Sequence, residues 1–428
     1  MCCSLVRRIR LCMLFALLLA ILVTAQVSSV PTTHHVGAGQ TYATIQAAVT
    51  AAAAGDTILI HQGTYTENVD LNGKSLILTS ENPDDGAVVA ATVLASASAG
   101  VSALDLSDCD AATVLEGITL TMSLSYEYAR SIDAAGFRGT IRKNVFRNIN
   151  HGGADASIID ARPSGSTTPT PTISDNTFSN NTAYYGSGIK LTGANATVAR
   201  NSFAGSVGSN GGSIHISGGT VALTSNTFTS GTAWNGGAVY VGGAATVTIT
   251  DCTFDTNTAT AEGGGIYSTG TSVNLALSNC HFTSCSGGMA YQGGGSLYAN
   301  GGSHTIYDCT VDGGSARLGG ALLIEKATSA DIRRTVIEST SASVGGAGIL
   351  THTVEDVRIE DSEVRDCSGT EAVAVYYVDT SEIHRNTIEQ NASPDNTALL
   401  VHSGATNITN NTVDDNTSTG GGSAVRLS

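Results

Sequence analysis

From about residue 140 onward, apolar and polar positions follow one recurring phrase. An alternating stretch leads into Asn-x-Phe, then a polar turn, a glycine pair and another alternating stretch. The Asn-x-Phe unit stands at residues 144–146, 176–178, 201–203 and 226–228. Cysteine takes the asparagine position at 252–254, 280–282 and 309–311, the last ending in Val311. The apolar row runs on through Val336 and Val364, and asparagine returns at 386–388 and 411–413. Successive apolar members lie 24 to 32 residues apart. Alternation with period two marks strands whose neighbouring side chains face opposite ways. A repeat near 25 residues made of such strands is too short for a propeller blade and has no helix for leucine-rich or helical repeats. The prediction is therefore all-β: a right-handed parallel β-helix solenoid of about a dozen coils, each strand pairing with its counterpart ~4.8 Å above. The Phe/Val/Ile row fills the interior, and the Asn row bends the chain and bonds from rung to rung.

Residues 42–54 (YATIQAAVTAAAA) break this pattern, with apolar positions at helical spacing and Gly55-Asp56 to end them. They predict a short helix capping the first coil, at about 42–55. Residues 57–60, 63–65 and 74–78 read as the first strands, and 82–86 and 163–171 as loops projecting from the stack. The last coil is expected either to lie under a partner or to present an open edge, which allows end-to-end or face association.

Composition adds a location and removes some partners. A basic stretch at 7–10, an apolar run at 11–23 and the small pair Val23 and Ala25 predict a signal peptide, 1–25, in preference to an uncleaved anchor. Export to the cell surface or the extracellular space follows, and contact with a membrane would come only through an uncleaved signal. The remaining 26–428 reads as one domain, its regular repeats covering about 140–428. Loss of Arg7, Arg8 and Arg10 from the 20 basic residues leaves 17 against 36 acids, a net −19. That balance argues against nucleic acid as a partner. Cys109, Cys252, Cys280, Cys285, Cys309 and Cys367 remain after cleavage. Three cysteines in consecutive coils cannot all pair with one another, so a reduced interior ladder is expected. Cys285 and Cys367 share another row, three coils apart.

The phrases TIQAAV, GDTILI, GTYTENV and KSLILT, in order between residues 44 and 79, resemble the opening of pectin-lyase-like β-helix proteins, as does VLEGITL at 114–120. GGAVYV at 236–241, GGGIYS at 263–268 and FxxN at 254–257 resemble chlamydial polymorphic outer-membrane protein repeats. The resemblance implies the fold and leaves the chemistry open, since that scaffold carries lyases, esterases, epimerases and adhesins. Gly63-x-Tyr65-x-Glu67 matches the first, structural motif of pectin methylesterases, but their catalytic motifs have no counterpart here. Neither do those of pectate lyases or polygalacturonases.

Candidate chemistry is sparse. Counting from the glycine pairs places Tyr240, Tyr267, Tyr298, Leu323, Leu350 and Tyr376 on one outer face, with Lys190 and His215 before them and Leu400 and Arg426 after. The preceding position is small in nearly every coil, from Gly188, Ser213 and Ala238 through Gly348 and Ala374 to Ala398. The expected result is a shallow trough beside an apolar ridge about 30 Å long, suited to sugar faces or a protein surface. Cover by the chain itself, or simple stiffening by cross-rung stacking, would explain the same row. Glu325, His352 and His402 fall two residues farther on, as weak candidates for acid–base work with no third group to complete them. Asp105, Asp108 and Asp110 are the nearest approach to a calcium site, but their spacing matches no known loop, so they read as turn acids and no cofactor or metal is called for. The leading expectation is a non-catalytic glycan- or protein-binding, adhesin-like protein. The alternative is a polysaccharide-acting lyase, epimerase or hydrolase.

Overall fold

The computed structural model describes residues 30–98, 100–121, 130–153, 155–290, 293–394, 397–418 and 424–428; the predicted signal at 1–25 lies outside them. From Thr33 onward the chain winds through parallel ladders. Fourteen short strands, from Gly63–Thr66 to Thr412–Asp414, stack into one sheet, which sets fourteen turns against the expected dozen. A second sheet of 24 strands bends around the remaining sides. Two-stranded pairs such as Thr232–Asn235 with Thr258–Glu262 add a third, discontinuous face.

The corners explain why polar residues punctuate the repeat. From Val145–Arg147 onward each short strand of the fourteen-stranded sheet is bracketed by residues in the left-handed region, as Asp175 (φ 59°) and Asn180 (φ 52°) bracket Thr177–Ser179. Small polar side chains tolerate that conformation better than branched ones. Inside the corner, Phe146, Phe178, Phe203, Phe228, Phe254 and Phe282 are fully buried and stack ring on ring. Their centroids are 4.6, 4.6, 5.0, 4.8 and 4.5 Å apart. Val311, Ile337, Val364 and Ile388 continue the column. Here Ile337, not Val336, is the interior member: Val336 pairs with Thr310 and is only half-buried.

Beside the rings runs the amide ladder. The Asn176 side chain accepts from the backbone N–H of Asn144 (3.0 Å), while its own NH2 donates to the Ile141 carbonyl (2.9 Å). Asn201 and Asn226 repeat the arrangement. Buried polar groups along this corner are thereby paired. Cys252, Cys280 and Cys309 interrupt the ladder as buried free thiols, and burial pushes Cys252 up to about 11. Because all three lie buried away from solvent, they are expected to resist alkylation in the native protein and to label on unfolding. Rapid native labelling, followed by mass spectrometry, would place them outside.

At the N-terminal end the predicted helix is present but shorter, Ile45–Ala51, burying Ile45, Ala48 and Val49 against the first coil. The Thr44 side chain accepts from the Ala47 N–H, and the Glu67 carboxylate accepts from those of Ile45 and Gln46 (2.9 and 3.0 Å). Two otherwise orphaned donors are satisfied from the next strand segment. Glu67 of the Gly-x-Tyr-x-Glu phrase thus acts structurally. A second short helix, Gly86–Ala91, continues from the stretch read as a loop at 82–86. At the other end Ile408 and Val413 are half-buried and Leu427 is exposed.

Candidate functional site

Register fixes what lies on the outer face. The row runs Asp105, Asp133, Asp160, Lys190, His215, Tyr240, Tyr267, Tyr298, Leu323, Leu350, Ala374, Leu400 and Arg426. His215, Tyr240, Tyr267 and Tyr298 stack in sequence, with centroids 4.6, 5.3 and 5.2 Å apart. The ridge is not the open one expected. Tyr298, Leu323 and Leu350 are 2%, 1% and 4% exposed, and Leu318, from the loop ahead of the strand, packs against this cluster. Tyr240 and Tyr267 are half-buried. The trough is absent as well: the small residues at 188, 213, 238, 265, 296, 321 and 348 precede the strands, at the corner, and point into the core. A Cβ at Gly188 would stand 2.7 Å from the Phe203 ring, and one at Gly265 3.1 Å from Phe282. Ala374 belongs to the ridge row itself.

Tyr376 is displaced in the opposite sense. It pairs with His352 rather than with Leu350, and His402 follows it. The next outward row is therefore Asn300, Glu325, His352, Tyr376 and His402, which unites the three candidates read from the sequence with two residues it did not place there. Glu325, His352, Tyr376 and His402 of this row line two adjoining clefts of about 510 and 470 Å³ that share Glu371 and Tyr376. Leu318, Val344 and Leu350 form the apolar wall of the first, and Tyr377, Arg426 and Ser428 line the second.

The carboxylates of the cleft are held by donors. Glu325, 6% exposed, accepts from the Tyr298 hydroxyl (2.8 Å), the Asn300 amide (3.0 Å) and the Lys326 ammonium (3.1 Å) through one oxygen. Glu371 accepts from the Tyr376 hydroxyl (3.1 Å) and the Thr370 hydroxyl (2.7 Å). Burial, reinforced by the Glu371 charge, pushes Tyr376 up to about 12, so it stays a hydrogen-bond donor at neutral pH. His352 contacts the Thr353 hydroxyl at 2.9 Å and His402 that of Ser428 at 3.0 Å. Glu325 and His352 lie one rung apart, yet each already has a local partner.

Tyr377 is the feature that sequence counting missed. It sits in the left-handed region (φ 53°) where the register shifts between Tyr376 and Val378, and it is 62% exposed. Its ring stands edge-on between His352 (5.4 Å) and His402 (4.9 Å).

Elsewhere, charged groups pair with one another. In the early coils Arg162 pairs with Asp133 (2.8 Å) and Asp160 (3.0 Å), Arg130 with Asp160, and Lys190 with Asp155. A larger depression of about 660 Å³ lies over the other half of the bent sheet. Its Arg333 pairs with Asp331, and Arg358 bonds Glu360 (2.6 Å) and faces Glu382 (3.7 Å). Size alone does not make it the better site, because its charges are spent on each other. Asp105 and Asp110 each accept from the backbone two residues on, and Asp108 meets the Ser164 hydroxyl at 3.0 Å. These acids brace turns. Among the described residues no group of three or more His, Cys, Asp or Glu side chains is arranged to hold a metal.

A family model described as right handed beta helix region matches residues 157–337 and 295–426, together more than half of the chain. No curated protein matches. A solved structure, a mannuronic acid specific polysaccharide family 6 lyase enzyme from human gut microbiota, is similar at 10% identity. That match covers 91% of this chain and 82% of the other, with a TM-score of 0.37.

Proposed function

The chain belongs to the right-handed β-helix family, a scaffold that hosts unrelated functions, and from its cleft we propose a non-catalytic carbohydrate-binding protein of the cell surface or extracellular space. Tyr377 carries this reading. Five successive coils place glycine at the same corner: Gly193, Gly218, Gly243, Gly270 and Gly301, all at positive φ. The next coils place Lys326, Thr353 and Tyr377 there, still left-handed. A side chain in that conformation costs roughly 1–2 kcal/mol, and Tyr377 recovers little by burial. An aromatic ring left 62% exposed in a cleft lining, where the earlier coils use glycine, supports a contact made outside the chain.

The chemistry around Tyr377 suits a sugar. An aromatic ring offers its face to the C–H side of a pyranose, and Glu325, Glu371, His352 and His402 offer fixed acceptors and donors to hydroxyls. From Glu325 to His402 is three rungs, about 14 Å, room for a short oligosaccharide lying along the axis. Lys326 and Arg426 balance the two carboxylates within the clefts, and with a net charge of −16 on the chain this favours a neutral glycan over a polyuronate.

Tyr377→Gly restores the residue used by the earlier coils and separates stability from binding. A glycan array should first identify a neutral ligand. The variant should then keep its unfolding free energy, or gain about 1 kcal/mol, while affinity falls about tenfold or more. Unchanged affinity would remove the cleft from consideration, and release of cleaved or unsaturated product from any polysaccharide would overturn the non-catalytic reading.

A further inference from the structure

We infer that His35 and His61 form a binding site for a divalent transition cation, Zn2+ or Cu2+, at the N-terminal coil. His35 lies in Thr33–Val36 and His61 follows Thr57–Ile60, and the two strands pair in register. The Nδ1 of His35 and the Nε2 of His61 are 3.1 Å apart. Ring centroids at 5.4 Å place the nitrogens head to head. Two imidazole nitrogens bound about 2.0–2.1 Å from one tetrahedral zinc would stand about 3.3 Å apart, so the existing separation needs almost no change in spacing. Each ring has only to swing until its lone pair meets the other's, and both are partly exposed.

The surroundings are built for ligation. The Glu81 carboxylate lies 2.8 Å from Nδ1 of His61, on the side away from His35. It accepts the Nδ1 proton and leaves Nε2 with its lone pair directed at the pair's midpoint. A carboxylate behind a histidine in this way fixes the tautomer and strengthens the ligand. The backbone is pinned as well: His61 donates its N–H to the Val36 carbonyl (2.9 Å), and the Tyr65 hydroxyl lies 2.7 Å from the His61 carbonyl. Neighbouring His34 is directed elsewhere, to Asp56 (2.9 Å) and Tyr42 (3.3 Å). With two protein nitrogens, water completes the shell. Imidazole ligation selects Zn2+ or Cu2+ over Mg2+ and Ca2+, and Cu2+ binds more tightly than Zn2+.

Titration of the metal-free protein with ZnCl2 and CuSO4 by calorimetry, with MgCl2 and CaCl2 as controls, tests the site. One equivalent should bind, and electron paramagnetic resonance of the Cu2+ form should show two nitrogen ligands. His35→Ala and His61→Ala should each abolish that equivalent, Glu81→Gln should weaken it 10- to 100-fold, and His34→Ala should leave it intact. Unfolding midpoints, with His35→Gln as a second variant, establish that the losses come from folded protein. Retention of the equivalent in His61→Ala, or its loss in a His352→Ala/His402→Ala double variant, would overturn the assignment. So would failure of either ion to bind.

Discussion

Phe228→Ala should lower the unfolding free energy by roughly 3–5 kcal/mol, the range for truncating a buried aromatic. The Phe228 ring is fully buried between Phe203 (5.0 Å) and Phe254 (4.8 Å). Truncation opens a cavity with ring faces above and below, and neither neighbour can close it without leaving its own rung. Because coils touch mainly their neighbours, the loss is local at first and is then carried into the cooperative transition. Phe228→Leu, which keeps most of the volume, should lose much less. Urea titrations of both variants check the pair, and an alanine effect under about 1 kcal/mol would contradict the interior column.

Acidification from pH 6.5 to 4 should destabilise the protein by about 2–3 kcal/mol for each of His151 and His215. Both are nearly inaccessible, at 2% and 8% exposed, and burial holds each down to about 4 from an ordinary 6.5. Above pH 6.5 the imidazoles are neutral in folded and unfolded chains alike, and their contribution is complete. Between 6.5 and 4 the unfolded chain takes up protons that the folded chain refuses, so stability falls with pH across this window and levels off below it. His304, 1% exposed, is shifted in the same direction by burial. Denaturant midpoints at pH 7, 5.5 and 4.5 read the slope. His151→Asn should flatten its share of it, and a profile level down to pH 4.5 would show these rings to be hydrated.

The fold was legible because its ladders are written in residue type. Asn-x-Phe repeats at each corner, and one interior row is enough to stack the coils. The early coils lack the phrase, and with it went the outward acids Asp105, Asp133 and Asp160, which continue the ridge row. Site residues were harder to place because outward register depends on counting through corners. Leu350 is 24 residues from its true partner Ala374 and 26 from Tyr376. Where the repeat length itself varies, a count cannot choose between two outward positions, and the Tyr-Tyr pair drew it to the wrong one. Cover is harder still: Leu318 seals Leu323 and Leu350 from a loop whose path no periodicity records. Glu325, His352 and His402 emerged in one row because each was counted two residues on from a correctly placed leucine, Leu323, Leu350 or Leu400.

The three thiol coils change how the solenoid can come apart. From Asn144 to Asn226 each side-chain carbonyl takes the backbone N–H of the preceding rung, and from Asn386 to Asn411 the same bond returns. Between these segments Cys252, Cys280 and Cys309 offer sulfur, which bonds weakly: Cys252 meets the Asn226 N–H at 3.4 Å. The molecule therefore resembles two stiff springs joined by a softer one. Under load, or at the onset of denaturation, separation begins at that joint rather than at random along the axis. The first cleft is lined from Leu318, on the coil that follows Cys309, so it borders that joint and feels it open.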